Sequence, residues 1–149
     1  MNLFSLEGKT AIVTGACGLL GVKHCEAMAE AGANVVVADV NEEMAIALTN
    51  KLGKGHIGIA TDVTKEASLQ ELRDKVIAKY GRIDVLVNNA AINDMFENPQ
   101  LALEKSKFEN YPLGMWQKSM DVNVTGVFLC SQVLGSVMAN TGGGSIINI

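Results

Sequence analysis

The residues best able to do chemistry are three glycines at three-residue spacing, Gly15, Gly18 and Gly21, within Thr14-Gly15-Ala16-Cys17-Gly18-Leu19-Leu20-Gly21. They follow an apolar run, Thr10-Ala11-Ile12-Val13, and precede a helical pattern reaching Ala31, which places them at a strand-to-helix turn. A Cβ there would obstruct the chain reversal, the approach of a pyrophosphate to main-chain N–H groups, and the contact of helix with strand. The first helical turn then offers anion donors, helped by the positive end of the helix dipole. The chemistry is therefore phosphate binding, with Gly15, Cys17, Gly18, Leu19, Leu20 and Gly21 forming the cradle. Glycine turns are common and most bind nothing. What makes this one informative is Asp39, which ends a second buried run, Val35-Val36-Val37-Ala38, roughly 20 residues after the glycines, where a carboxylate accepts hydrogen bonds from an adenosine ribose. Asp39 could instead cap the next helix, but Asn41 is better placed to cap a helix starting at Glu42.

Other candidates carry less. Gly8-Lys9-Thr10 imitates the tail of a P-loop, but Leu3 stands where the earlier glycine is required and the triplet precedes a strand instead of following one. Cys17, Cys25 and Cys130 are odd in number and lack metal-ligand spacing, so they read as reduced thiols of a cytosolic protein, and no metal is expected. A catalytic thiol at Cys17 would need a base that the sequence does not identify. His24 and His56 read as surface or strand-start residues, although histidine is the usual proton carrier near neutral pH.

The elements that must position these residues alternate. A helix over 42–52, capped by Asn41 and stopped by Gly53, leads to a short strand over 56–61 with Asp62-Val63 at its end. Thr64 is expected to cap a helix carrying Leu69, Leu72 and Val76 up to Gly81. A fourth strand, Ile83-Asp84-Val85-Leu86-Val87, delivers Asn88-Asn89-Ala90-Ala91. Residues 93–114 read as a loop with a short helical piece. A helix over 115–140 is apolar nearly all round and needs cover on more than one side. Ser145-Ile146-Ile147-Asn148-Ile149 begins a fifth strand. Five such alternations predict an α/β doubly wound parallel sheet, strand order 3-2-1-4-5, incomplete at the carboxyl end. In that order the glycine turn, Asp39, Asp62-Val63 and Asn88 to Ala91 converge on one crevice.

Bulk properties bound the partners. At 149 residues the chain suits one domain, 1–149, with a real core and no separate substrate domain. A net charge of −4 without a basic cluster argues against nucleic acid or an anionic membrane. No apolar run approaches the roughly 18 residues of a membrane span, and the first seven residues lack the form of a signal sequence, so no membrane partner and a cytoplasmic location are expected.

Taken together, Thr14-Gly15 through Gly21, Asp39, Asp62-Val63, Asn88-Asn89-Ala90-Ala91, Asp121-Val122-Asn123-Val124-Thr125-Gly126-Val127-Phe128 and Gly144-Ser145-Ile146-Ile147-Asn148-Ile149 resemble the short-chain dehydrogenase/reductase family. The resemblance spans essentially the whole chain and implies a Rossmann fold binding NAD, with hydride transfer to or from a secondary alcohol or ketone, a sugar derivative among the candidates. It implies that Gly15, Gly18 and Gly21 shape the pyrophosphate turn, Asp39 binds the adenosine ribose, Asp62 and Val63 contact adenine, and Asn89, Ala90 and Ala91 line the nicotinamide-side ribose. Asn123 would be the asparagine of the catalytic tetrad, kinking its helix and holding a water in a proton relay. A small-molecule substrate and, in the full-length form, a homo-oligomer are implied as well. Three departures stand out. The glycine spacing is Gly-x-x-Gly-x-x-Gly, similar to the longer sugar-nucleotide branch, whereas Asn88 to Ala91 resembles the shorter one, so the branch stays open. Residues 93–114 make a longer loop than is usual. The family's Ser and Tyr-x-x-x-Lys lie beyond the fifth strand, and here Tyr80 is followed four residues later by Asp84, and Tyr111 by Met115. The chain alone is thus expected to be inactive, since general acid–base catalysis contributes about 100-fold to 10,000-fold. The alternative is a catalytically silent NAD-binding or interaction module.

Overall fold

The computed structural model describes residues 3–93, 105 and 107–149. Five strands, β1 (Thr10–Thr14), β2 (Asn34–Asp39), β3 (Ile57–Ala60), β4 (Val85–Asn88) and β5 (Ser145–Asn148), pair in parallel in the order β3-β2-β1-β4-β5, as expected. Between them run α1 (Leu19–Glu30), α2 (Glu42–Leu52), α3 (Glu66–Tyr80), a 3₁₀ turn (Phe108–Asn110), α4 (Leu113–Met120), a π turn (Asp121–Thr125) and α5 (Gly126–Asn140). Of the stretch 93–114 read as a loop with a helical piece, residues 94–104 and 106 lie outside the described residues.

The period of two in β1 sorts its side chains between two apolar layers. Ala11 and Val13 join Cys25, Ala45 and Leu48 under α1 and α2, whereas Ile12 joins Leu69, Leu72, Val76 and Leu134 under α3 and α5. Because both faces are covered, β1 and β2 are apolar without alternation, the mark of an interior parallel strand. Each fully buried Val, Ile or Leu contributes roughly 1.5–3 kcal/mol.

Local signals decide the helix ends in most places. Asn41 Oδ1 accepts the Met44 N–H at 3.0 Å, so Asn41 caps α2 as its position suggests. Thr64 does not cap α3. Its N–H and hydroxyl both donate to Asp62 Oδ1, at 3.0 and 2.6 Å, and Lys65 takes the N-cap position without a side-chain bond. The Asp62 carboxylate is the stronger local acceptor, and it bends the chain one residue too early for Thr64 to serve the helix.

The helical run Leu113–Asn140 is 28 residues long, with a mean hydropathy of 1.5 over its most apolar 18 residues. That corrects the expectation that no segment approaches membrane-spanning length and composition. Here Cys130, Val133, Leu134 and Met138 pack into the core on α3 and β4. The last strand is less sheltered. Ile146 follows the face of Leu86 and Ile147 that of Val87, yet they remain 42% and 41% exposed. Among the described residues, β5 has a single neighbouring strand, and its four residues are all exposed.

At the amino-terminal edge of the sheet, Asp84 ties three elements together. Its carboxylate accepts the Thr10 N–H at 2.9 Å and two bonds from Arg82, with Lys9 at 3.5 Å, while its carbonyl accepts the Ser145 N–H. Burial pushes this carboxyl up, but the Arg82 and Thr10 hydrogen bonds and the charges of Arg82 and Lys9 outweigh it and hold the group below its ordinary value. A depressed carboxyl stabilises the fold above its unfolded pKa and loses that contribution as pH falls through the folded one. We expect Asp84→Ala to destabilise by about 2 kcal/mol, in the range for hydrogen bonds to a charged group. Urea melts of both proteins check this: the gap should be constant near neutrality and close in acid.

Candidate functional site

The turn leaving β1 is built around two positions that only glycine fits. Gly15 has φ +58°, and a Cβ on it would lie 2.7 Å from the Ala90 Cα. A Cβ on Gly21 would overlap the Gly15 carbonyl oxygen and stand 2.7 Å from the Ala16 Cα. The N-cap of α1 is Gly18, which has no side chain to bond the first helical turn, and that turn contains no acidic residue. The positive end of α1 is therefore left for an anion from outside.

Neighbouring strand ends hold this turn on both sides. On the β2 side, Asp39 Oδ2 accepts the Cys17 N–H at 2.9 Å and Asp39 Oδ1 accepts the Asn41 N–H at 3.0 Å. On the β4 side, Asn89 Nδ2 donates to the carbonyls of Thr14 (3.1 Å) and Gly15 (3.0 Å), and the Thr14 hydroxyl accepts the N–H groups of Asn89 and Ala90. The Asp62 N–H donates to Ser68 Oγ, and Lys65 Nζ lies 3.1 Å from its carboxylate. The Thr64 hydroxyl bond leads the causes that hold the Asp62 carboxyl below its usual value against burial. Val63 is buried, and a Cβ on Gly126 would stand 2.8 Å from its Cγ2, so α5 presses on the segment that carries Asp62.

These parts surround one cleft of about 1210 Å³ at the carboxyl ends of the strands. Gly15, Cys17, Gly18, Leu19, Leu20, Asp39, Asp62, Val63, Asn89, Ala90 and Ala91 all line it, as the sequence reading groups them, whereas Gly21 is buried behind the turn. Asn123 stands outside the lining. Both ends of its amide engage the main chain of Ile92, Oδ1 accepting the N–H at 2.9 Å and Nδ2 donating to the carbonyl at 3.1 Å. A polar residue in an apolar helix would ordinarily need buried partners, but this side chain is exposed and finds them in the chain just past β4. Asp121 and Val122 of the same π turn do reach the cleft, as do Val40, Met44, Gln117 and Lys118. Thr61, Thr64, Ile92, Asn93 and Gly114 line it too, and sequence reasoning placed none of these eleven in the cleft. Val40 and Met44 were readable as neighbours of Asp39 and of the α2 cap, while the α4 residues carry no local signal.

Reactive side chains are quiet. Burial, then the Asp39 charge and hydrogen bond, push the Cys17 thiol up to about 11, and burial takes Cys25 and Cys130 to about 12. Tyr80 donates to the Gly55 carbonyl at 2.7 Å at the far end of the sheet, and burial raises it to about 12. His56 Nδ1 accepts the Val35 N–H at 3.0 Å, and burial lowers its pKa. His24 Nε2 is buried without a hydrogen-bond partner among the described residues. Among the described residues no three His, Cys, Asp or Glu side chains gather to hold a metal. The arrangement suits binding an anionic, hydroxyl-bearing ligand, and among the described residues the thiol that lines it, Cys17, is held in its protonated form.

The family model described as short chain dehydrogenase matches residues 9–149. The chain belongs to this family. Among curated relatives, a D-threitol dehydrogenase from Mycolicibacterium smegmatis is 38% identical over 98% of this chain and 54% of its own length. A NAD-dependent glycerol dehydrogenase from Listeria innocua is 32% identical over 98% of this chain and 54% of its own length. A crystal structure of a short-chain type dehydrogenase/reductase from Mycobacterium marinum superposes with a TM-score of 0.87 at 34% identity, covering 99% of this chain and 57% of that one. The chain thus spans about half the length of the relatives it matches. For a short-chain dehydrogenase the crowding behind the turn makes a sharp prediction. Gly21→Ala should destabilise by roughly 1–3 kcal/mol, the range for overpacking, and should abolish nucleotide binding. Thermal melts and calorimetric titration of the variant test both effects.

Proposed function

We propose that this chain is the cofactor-binding half of an NAD-dependent oxidoreductase that exchanges hydride with a secondary alcohol or ketone, with polyols and sugar derivatives as the first substrates to test. The observation that carries the reading is the Asp39 carboxylate, set at the end of β2 in the same cleft as a glycine turn whose helix end lacks a cap. The residues fit a dinucleotide: the glycines leave room for a pyrophosphate, and an ionised carboxylate holding two N–H groups still has lone pairs for ribose hydroxyls. In this reading Asp62 and Val63 face the adenine, while Asn89, Ala90 and Ala91 flank the nicotinamide-side ribose. The bound nicotinamide supplies or accepts the hydride. Asn123 acts in the proton relay as the tetrad asparagine, and its grip on Ile92 sets the wall of the cleft beyond β4. The proton-transferring Tyr and its Lys come from outside these 149 residues. The names of the relatives that act on threitol and glycerol support the polyol class, and three free cysteines fit the reducing cytoplasm.

Self-association is part of the proposal. Leu113, Trp116, Val124 and Phe128 are 68%, 53%, 52% and 60% exposed along one helical run. Leaving such side chains in water forgoes roughly 1.5–3 kcal/mol each, against a domain stability of only about 5–15 kcal/mol. Light scattering on the eluted 149-residue chain should report dimers or larger species, and a stable monomer with a cooperative melt contradicts this.

NAD should bind more tightly than NADP by about 10-fold to 100-fold, the equivalent of one hydrogen bond to a charged acceptor gained or lost. Asp39 would repel a 2′-phosphate, and Cys17, Gly18, Val40 and Asn41 offer no cation to it. Lys118, the cation on the cleft wall among the described residues, belongs to α4. Titration of both nucleotides decides the preference. With NAD and a polyol panel, the chain alone should produce NADH at the buffer rate, whereas turnover that disappears in Asn123→Ala would relocate the active site.

A further inference from the structure

Asp39 is 9% exposed, and both of its oxygens are engaged before any ligand is present, Oδ2 by the Cys17 N–H at 2.9 Å and Oδ1 by the Asn41 N–H at 3.0 Å. Cys17 lies in the middle of the phosphate turn, between Gly15 and Gly18, and Asn41 caps α2. Binding a ribose requires neither contact. A glycine-rich turn has many conformations open to it, so an ordered one needs outside restraint. Along this turn the restraints are unequal. Asn89 grips the carbonyls of Thr14 and Gly15, and Ala16 donates to the Ala38 carbonyl at 3.2 Å, which fixes where the turn begins. Beyond that point Gly18 donates back to the Gly15 carbonyl at 3.1 Å within the turn, while Cys17 is tied to the sheet through Asp39 by a charge-assisted bond, roughly twice as strong as a neutral one.

We infer that Asp39 is a positioning residue for the phosphate turn: its carboxylate anchors the Cys17 N–H and holds residues 17–20 in the anion-accepting shape before the nucleotide arrives. This second task is separate from accepting ribose hydroxyls, and only the ligand arm of its test rests on the nucleotide-binding reading. A preordered turn lowers the ordering cost of binding. One consequence concerns cofactor engineering. A small neutral residue at position 39, chosen to admit a ribose phosphate, also releases the turn that must bind the pyrophosphate.

Residue-resolved amide exchange on the nucleotide-free full-length protein tests the anchor directly. It is paired with titrations of NAD and of an NAD analogue lacking both hydroxyls of the adenosine ribose. In Asp39→Ala, exchange at Cys17 should accelerate by about tenfold or more, as expected for loss of a local hydrogen bond, while Val36 in β2 keeps its protection. The analogue should bind about fivefold more weakly or worse, although it presents no ribose hydroxyl to residue 39. Unchanged exchange at Cys17 together with unchanged analogue affinity overturns the inference. Should Asp39→Ala fail to fold, Asp39→Asn serves, because it leaves one carbonyl oxygen for two donors. Faster exchange at Cys17 or Asn41 then supports the anchor, and full protection at both refutes it. If the parent protein binds neither nucleotide, the nucleotide reading fails while exchange at Cys17 still decides the anchor.

Discussion

The carboxyl end of β1 leads into a glycine-rich turn whose shape the surrounding structure has to hold. The turn with glycine at 15, 18 and 21 has one hydrogen bond of its own, Gly18 N–H to the Gly15 carbonyl at 3.1 Å, and its neighbours supply the other restraints. Asp39 reaches it across 22 residues of sequence, and Asn89 across 74 and 75. Only a parallel sheet with β1 in the middle sets both side chains beside the same turn. The connection leaving β1 runs to one side of the sheet and that leaving β4 to the other, and a crevice opens where they diverge. The apolar layers under α1 and α2 and under α3 and α5 make that sheet stable. Asp84 fastens β1 and β4 at the other end, so the strands cannot slide and carry the two clamps out of register.

Much of this was legible in the sequence, for identifiable reasons. The glycine turn and the Asn41 cap follow from continuous apolar runs, helical stripes and turn residues, all of them local signals, and the strand order and the meeting of Asp39 with Asp62 and Asn89 follow from the connection rules for alternating strands and helices. Thr64 has the residue type of a cap, but its N–H and hydroxyl both donate to Asp62, two residues earlier, and the helix starts one residue later, with Lys65 as its N-cap. Asn123 was singled out by resemblance, and its partner, Ile92, lies 31 residues away in a pairing that no local pattern reports. The α4 contribution to the cleft was hidden for the same reason. Gln117 and Lys118 look like ordinary solvated residues until the sheet places their helix beside Val63 and Asp62.

The two halves of the sheet are finished to different degrees. β1 and β2 are sealed on both faces, yet β5 leaves Ile147 and Ile149 facing outward on the side of Val87. The glycine turn and Asp39 belong to the sealed half.

The π turn at Asp121–Thr125 works as a rotational offset in an otherwise continuous rod. The Gly126 N–H bonds the Asp121 carbonyl, five residues back instead of four, which accommodates one extra residue in the winding. In a helix one residue is about 100° of rotation. Removing a residue here would leave a straight, well-bonded helix in place, with α5 still seated on α3 and β4. Everything upstream would swing by about that angle, carrying Gln117 and Lys118 off the cleft wall. The helix thus has two faces with separate places, a downstream one seated on the core and an upstream one turned to the cleft, and the π turn is the gear between them.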